Sequence, residues 1–193
     1  LTPEAIALLA PPAVDLPLRE LLGRVAGVLE ALLPFDPRSL GATALGDGDH
    51  PLRDELSAWA RMLDLGSVEI LVAPDVPAIC MPVSRVRPTV VVSALREATP
   101  AGRFAAARAM LLTALSLTIP ARLAASEFTL ALGALLRQFD PMYKPEGVDA
   151  ARLVELSAKV TRALPRELHA ELTPLAQRIL TGGIKDAEAI RAG

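Results

Sequence analysis

The chain has 193 residues, of which 52% are hydrophobic and only 3% aromatic, and its formal net charge is −2. That length supports an ordinary core, here one of small aliphatic side chains. The near-neutral charge, with no long run of one sign, argues against a nucleic-acid binder, and one cysteine, Cys80, excludes an internal disulfide or a cysteine-built zinc cluster.

The elements follow in chain order. Thr2-Pro3 has the form of an N-cap followed by Pro at the first helical position, predicting a short helix to Ala10 that Pro11-Pro12 ends. A second helix is expected from Asp15 to Leu33, with Leu18, Leu21, Leu22, Val25, Leu29 and Leu32 on one stripe. Pro34 stops it, and Phe35 to His50, with Gly41, Gly46 and Gly48, reads as loop. Pro51 to Leu65 is expected as a third helix, with Leu52, Leu56, Trp59 and Leu63 inward and Gly66 as its C′ residue. Three short β-branched runs follow, "VEILVAP", "PAICMPV" and "PTVVVSA". They predict strands near 68–73, 78–83 and 89–93, joined by turns at Pro74-Asp75 and Ser84–Arg87 in a small antiparallel sheet whose prolines favour edge positions.

Beyond the sheet the pattern is helical. Thr99-Pro100 repeats the cap-then-Pro signal and opens a helix to Leu117; Pro120 opens another to Phe139; "DPMYKPEG" is a loop. A helix from Asp149 to Leu164 lines up Leu153, Leu156, Val160 and Leu164. The last begins at Pro165 and carries Leu168, Leu172, Leu175 and Ile179, with a kink or split expected at Thr173-Pro174 and an end at Gly182-Gly183. The reading is α+β and predominantly helical: about seven helices around one three-stranded antiparallel sheet, in a single domain (residues 1–193). Residues 1–34 form a helical arm, 35–50 a loop, 51–140 a helix, the sheet and the central helices, and 141–193 the C-terminal helices. The start at Leu1 rather than Met reads as a fragment of a longer chain.

Chemistry-bearing motifs are scarce. "GATALGDGD" matches neither glycine-rich phosphate pattern, and Asp47 and Asp49 would repel a phosphate. Read as an EF-hand, the loop starting at Asp47 puts Pro51 and Ala58 where calcium ligands belong. His50, His169 and Cys80 are too few for a recognisable nucleophile-base pair or metal motif, and His169 reads as exposed. The longest uncharged stretch, Ala109–Ala121, contains Pro120 and is shorter than the roughly 20 residues of a membrane span. The lone cysteine and the absence of a signal peptide fit a reducing, cytoplasmic setting.

The succession "VEILVAP … PAICMPV … PTVVVSALREATPAGRFAAARAMLLTAL" resembles the strand–hairpin–strand–helix core of gluzincin-type zinc metallopeptidases. Laid on this helix, the L-x-H-E-x-x-H motif puts its first histidine at Arg108, its glutamate at Ala109 and its second histidine at Leu112, with Glu127 nearest to a third ligand. The resemblance therefore implies a zincin-like pseudoenzyme without its metal, and these four positions as vestiges of the site. Phe104, Leu111, Leu112 and Leu115 are expected on the side of that helix that carries Arg108, whose head must reach water or a carboxylate such as Glu127. The Ala/Leu/Arg-rich composition, with Lys144, Lys159 and Lys185 the only lysines among 20 basic residues, is similar to modules appended to large bacterial tetratricopeptide-repeat proteins. The expected function is a non-catalytic structural or protein-interaction domain of such a protein. Its partner would be another protein, a neighbouring repeat domain or a second copy, with no nucleic acid, no membrane span, no cofactor and no resident metal. The alternatives are a metallopeptidase-like hydrolase with an unrecognised site and a binder of a small apolar ligand.

Overall fold

A computed structural model describes residues 16–45, 50–74, 80–94 and 99–182. The helix expected before Ala10, residues Asp47 and Asp49, the Asp75 turn residue and Gly183 lie outside them. The fold is α+β and mostly helical: seven α-helices and one four-stranded sheet among the described residues. They fall into two compact units.

The first unit, Pro34–Arg122, holds the sheet. Its strands are β1 (Thr43–Ala44), β2 (Glu69–Ala73), β3 (Cys80–Ser84) and β4 (Thr89–Ser93), in the order β1-β2-β4-β3. The expected all-antiparallel, three-stranded sheet is corrected on two counts. β2 pairs with β4 in parallel, Ile70 opposite Val90 and Val72 opposite Val92, so the sheet is mixed. β1, inside the segment read as loop, adds an antiparallel strand, Thr43 opposite Val72. The uninterrupted Val90-Val91-Val92 run is the physical reason for the first point. Every residue of β4 is buried, as befits a central strand covered on both faces rather than an outer hairpin arm. β3 takes the edge instead. Its Pro82 cannot donate to a ladder, and a register shift between Pro82 and Ser84 bends the strand away from further pairing.

Alternation along β4 divides the core. Val90 and Val92 face α2 (Arg53–Met62) and α3 (Pro100–Ala114), packing with Leu52, Leu56, Ala106, Ala109 and Met110. Val91 faces the other way with Ala73 and Val83, under a cover of Phe35, Leu40 and Ala42 from the segment around a 3₁₀ turn at Pro37–Leu40. Asp36 caps that turn through Arg38 N–H, and Gly41 closes it at φ 65°.

The helix starts follow the caps read from sequence. Thr99 accepts from Gly102 N–H with Pro100 behind it. The helix expected from Pro120 is instead two helices, α4 (Thr118–Arg122) and α5 (Ala125–Leu136), with Pro120 inside the short one. Gly66, expected at C′ of α2, stands beyond the real terminator. Asp64 occupies the left-handed position at φ 53°, and Leu65 N–H reaches back to Ala60 C=O at 3.0 Å. α3 ends the same way: Ser116 has φ 60°, and Leu117 N–H bonds Leu112 C=O at 2.8 Å. Both are Schellman closures with a buried Leu after the left-handed residue. Side chains are strained at such a φ and glycine is not. Asp64→Gly and Ser116→Gly are each expected to raise stability by about 0.5–1 kcal/mol in urea denaturation. A loss on both substitutions would refute this reading of the two termini.

The second unit contains α1 (Leu16–Leu32), α5, α6 (Ala150–Ala163) and α7 (Arg166–Gly182). α1 buries Leu18, Leu21, Leu22, Val25 and Leu29 and packs on α7 and α6, with Arg24 bridging to Glu171 at 2.9 Å. α5 is buried continuously from Leu130 to Leu136. A polar clasp closes its C-terminal end. Gln138 Nε2 donates to Ala134 C=O and Ser157 C=O, and Gln138 C=O accepts from His169 Nε2 at 3.0 Å. His169 was expected to be exposed; it is half-buried and stacks on Phe139, ring centroids 4.6 Å apart. Pro174 does not split α7, which runs through it unbroken. Thr173, the expected new cap, donates back to His169 C=O.

Candidate functional site

The vestigial-site positions come to rest in different surroundings. Ala109 and Leu112 are buried on α3, as core side chains on an apolar face should be. Arg108 is half-buried and makes no hydrogen bond or ion pair with a described residue. Phe104 does not share a buried stripe with Leu112 and Leu115: it is 71% exposed, because the buried face of α3 runs through Gly102, Ala106, Ala109, Met110 and Thr113. Glu127 lies in the first turn of α5, where the helix dipole favours an acid. Both of its oxygens accept from Arg152 Nη2, at 3.0 and 2.8 Å. That hydrogen bond pushes the Arg152 guanidinium further up from its already high pKa. No three His, Cys, Asp or Glu side chains are grouped to hold a metal among the described residues.

The single cysteine is a core side chain. Cys80 opens β3 opposite Val92, packs with Val90 and Met110, and is 7% exposed. Burial pushes its thiol up to about 12. At pH 8 only about one thiol in ten thousand is then ionised, and the thiolate is the reactive form. Native protein is expected to resist a thiol-specific disulfide reagent at pH 8 for hours and to react within minutes in denaturant. Fast reaction of the folded protein would contradict this placement.

His50 joins two elements. It is 6% exposed, just ahead of α2. Nδ1 accepts from Leu52 N–H at 3.2 Å, and Nε2 lies 3.3 Å from Ser93 C=O at the end of β4. Since Nδ1 is an acceptor, Nε2 carries the proton and donates to the carbonyl. The ring acts as a structural bracket with both nitrogens occupied.

Among the described residues, one feature with room for a ligand is one the sequence did not advertise. Among the described residues the sheet's first face packs against α2 and α3 and its second against the 35–42 segment, with α4 beside β3, and Leu71 and Met81 are half-buried on the second face. An open groove of about 610 Å³ results. Phe35, Ala42, Leu71 and Val83 supply apolar lining, Asp36, Arg38, Glu69 and Arg87 the charges, and Thr43 and Ala44 of the outer strand β1 one wall. The Arg122 guanidinium lies over the Phe35 ring, 5.6 Å from its centroid, and supports it by a cation–π contact. The volume is within the range of sites that take small molecules or peptide side chains. A signal for it existed in Asp36-Pro37, a cap-then-Pro pair inside the presumed loop. The strand Thr43–Ala44 was too short to register as periodicity. No helix of the described residues is long and apolar enough to cross a membrane. Comparison of the chain with protein-family models, with curated proteins and with solved structures gives no match to any of them.

Proposed function

We infer that the chain is a non-catalytic interaction domain of a larger bacterial protein, and that the second face of its sheet is the working surface. The observation that supports this is the open groove on that face. On that face Phe35, Leu71 and Met81 are only half-buried, and the groove opens beside them among the described residues. Phe35 and Leu71, half-buried with charged neighbours around them, have the make-up of a contact patch with a polar rim.

Hydroxyl-radical footprinting tests the reading on the full-length natural protein against this chain alone. Phe35 and Leu71 are expected to be oxidised several-fold more slowly in the full-length protein or its native complex. Exposed Phe104 serves as an internal reference. Equal oxidation of Phe35 and Leu71 in both samples would remove the proposed surface. Stoichiometric zinc in purified full-length protein would remove the non-catalytic part of the proposal and favour a hydrolase.

A further inference from the structure

The groove also has a chemical preference, and the inference drawn from it rests on the docking role given above. Four charged residues line it: Asp36, Arg38, Glu69 and Arg87. They do not neutralise one another, since none of them ion-pairs with another of the four. Asp36 is committed, its Oδ1 accepting from Arg38 N–H at 2.9 Å as the cap of the 3₁₀ turn. Glu69 is held weakly, 3.4 Å from the Thr89 hydroxyl, which lies closer to Arg87 C=O at 2.7 Å. The guanidiniums of Arg38 and Arg87 have no partner among the described residues, and both side chains are exposed. The uncommitted charge of the rim is therefore positive, two guanidiniums against one carboxylate. Guanidinium donors in a fixed fork match a carboxylate better than any other side-chain group.

Backbone capacity lies beside this charge. Among the described residues β1 is the outer strand of the sheet, bonded to β2 on one side only, and both its residues are exposed and line the groove. An open strand edge accepts an added extended segment through main-chain hydrogen bonds. The other edge is closed to such an addition by Pro82 and the irregular register beside it.

We propose that the groove binds an extended segment of another protein in which apolar residues alternate with acidic ones. The segment's backbone pairs with β1, its apolar side chains rest on Phe35 and Leu71, and its carboxylates engage Arg38 and Arg87. The test titrates isotope-labelled protein, followed by amide NMR shifts, with three end-blocked octapeptides that alternate valine with glutamate, serine or lysine. The valine–glutamate peptide is expected to shift the Thr43 and Ala44 amides. The serine peptide should bind roughly ten-fold more weakly and the lysine peptide more weakly still. An Arg38→Gln/Arg87→Gln double variant is expected to bind the glutamate peptide at least ten-fold more weakly. Both side chains are exposed, so its spectrum should otherwise match the parent. Equal binding of the three peptides, or an unchanged affinity in the double variant, would overturn the acidic partner while leaving the docking surface in place. If no peptide moves any groove amide, the docking surface falls with it.

Discussion

Replacing Gly133 by alanine is expected to destabilise the second unit by about 1–2 kcal/mol, although alanine is the better helix former. Gly133 sits in the interior of α5, in the stretch buried without a break from Leu130 to Leu136. On propensity alone, Gly→Ala inside a helix gains about 1 kcal/mol. Packing opposes it more strongly. A Cβ at this position would stand 2.6 Å from Pro145 Cγ, 3.2 Å from Pro145 Cδ and 3.4 Å from Leu153 Cδ1. The proline ring is tied to its own backbone, so it cannot swing aside as a long flexible side chain would. The loop that carries it is itself held, with Met142 N–H and Tyr143 N–H both bonded to Asp140. Relief must come from moving that loop or α6, at the cost of overpacking a filled core, about 1–3 kcal/mol. Gly133→Leu should exceed about 3 kcal/mol, since several more carbons must find room. Pro145→Ala supplies the control. In the Gly133→Ala background it removes the colliding ring and should recover at least about 1 kcal/mol as a coupling energy in a double-mutant cycle. Urea denaturation of the four proteins measures it. A Gly133→Ala variant more stable than the parent, with Pro145 in place, would show that the loop does not bear on α5.

Gly133 also marks where sequence reading stopped. The helices announced themselves through caps and periodicity. Thr99-Pro100 and Asp149 start α3 and α6 where they were expected, and the leucine stripe of α1 is its buried face. Strands β2, β3 and β4 were legible as short β-branched runs. Their pairing was not, because nothing local to Glu69–Ala73 records that its neighbour is β4 in parallel rather than β3. The valine triplet of β4, apolar at both alternating positions, was the available hint of a central strand. Helix ends were misread where a polar residue took the place of glycine. Asp64 and Ser116 close their helices in the left-handed conformation, and the nearby Gly66 drew the prediction two residues too far. Phe104 was placed in the core by its position on one side of the helix with Leu111, Leu112 and Leu115, yet the phase of α3 follows its alanines. The groove was least legible of all. It is assembled from a 3₁₀ turn, a two-residue strand and side chains of three other strands, a set with no common period or motif.

Replacing His50 by phenylalanine is expected to cost about 2–4 kcal/mol of stability in the first unit, from hydrogen bonding rather than from lost volume. Phenylalanine fills the site, so the cavity contribution that would accompany alanine is small. Two backbone groups lose a hydrogen bond. Leu52 N–H, in the residue leading into α2, gives up the Nδ1 acceptor at 3.2 Å, and Ser93 C=O, at the end of β4, gives up the Nε2 donor at 3.3 Å. Leu52 and Ser93 are themselves buried, so water does not readily replace the ring nitrogens. Each unsatisfied buried group costs about 1–3 kcal/mol. The two halves separate by substitution. Asparagine can place its Oδ1 near the Nδ1 position and keep the Leu52 N–H bond, while glutamine can reach the Nε2 position and keep the Ser93 bond. Each is expected to lose about half as much as phenylalanine. If both contacts matter, asparagine should retain the start of α2 in amide hydrogen exchange and release the end of β4, and glutamine the reverse. Ring ¹⁵N shifts of the parent should report the neutral Nε2–H tautomer. A phenylalanine variant within about 0.5 kcal/mol of the parent would mean that the bracket holds neither element. A large loss shared equally by asparagine, glutamine and phenylalanine would instead assign the effect to the shape of the ring.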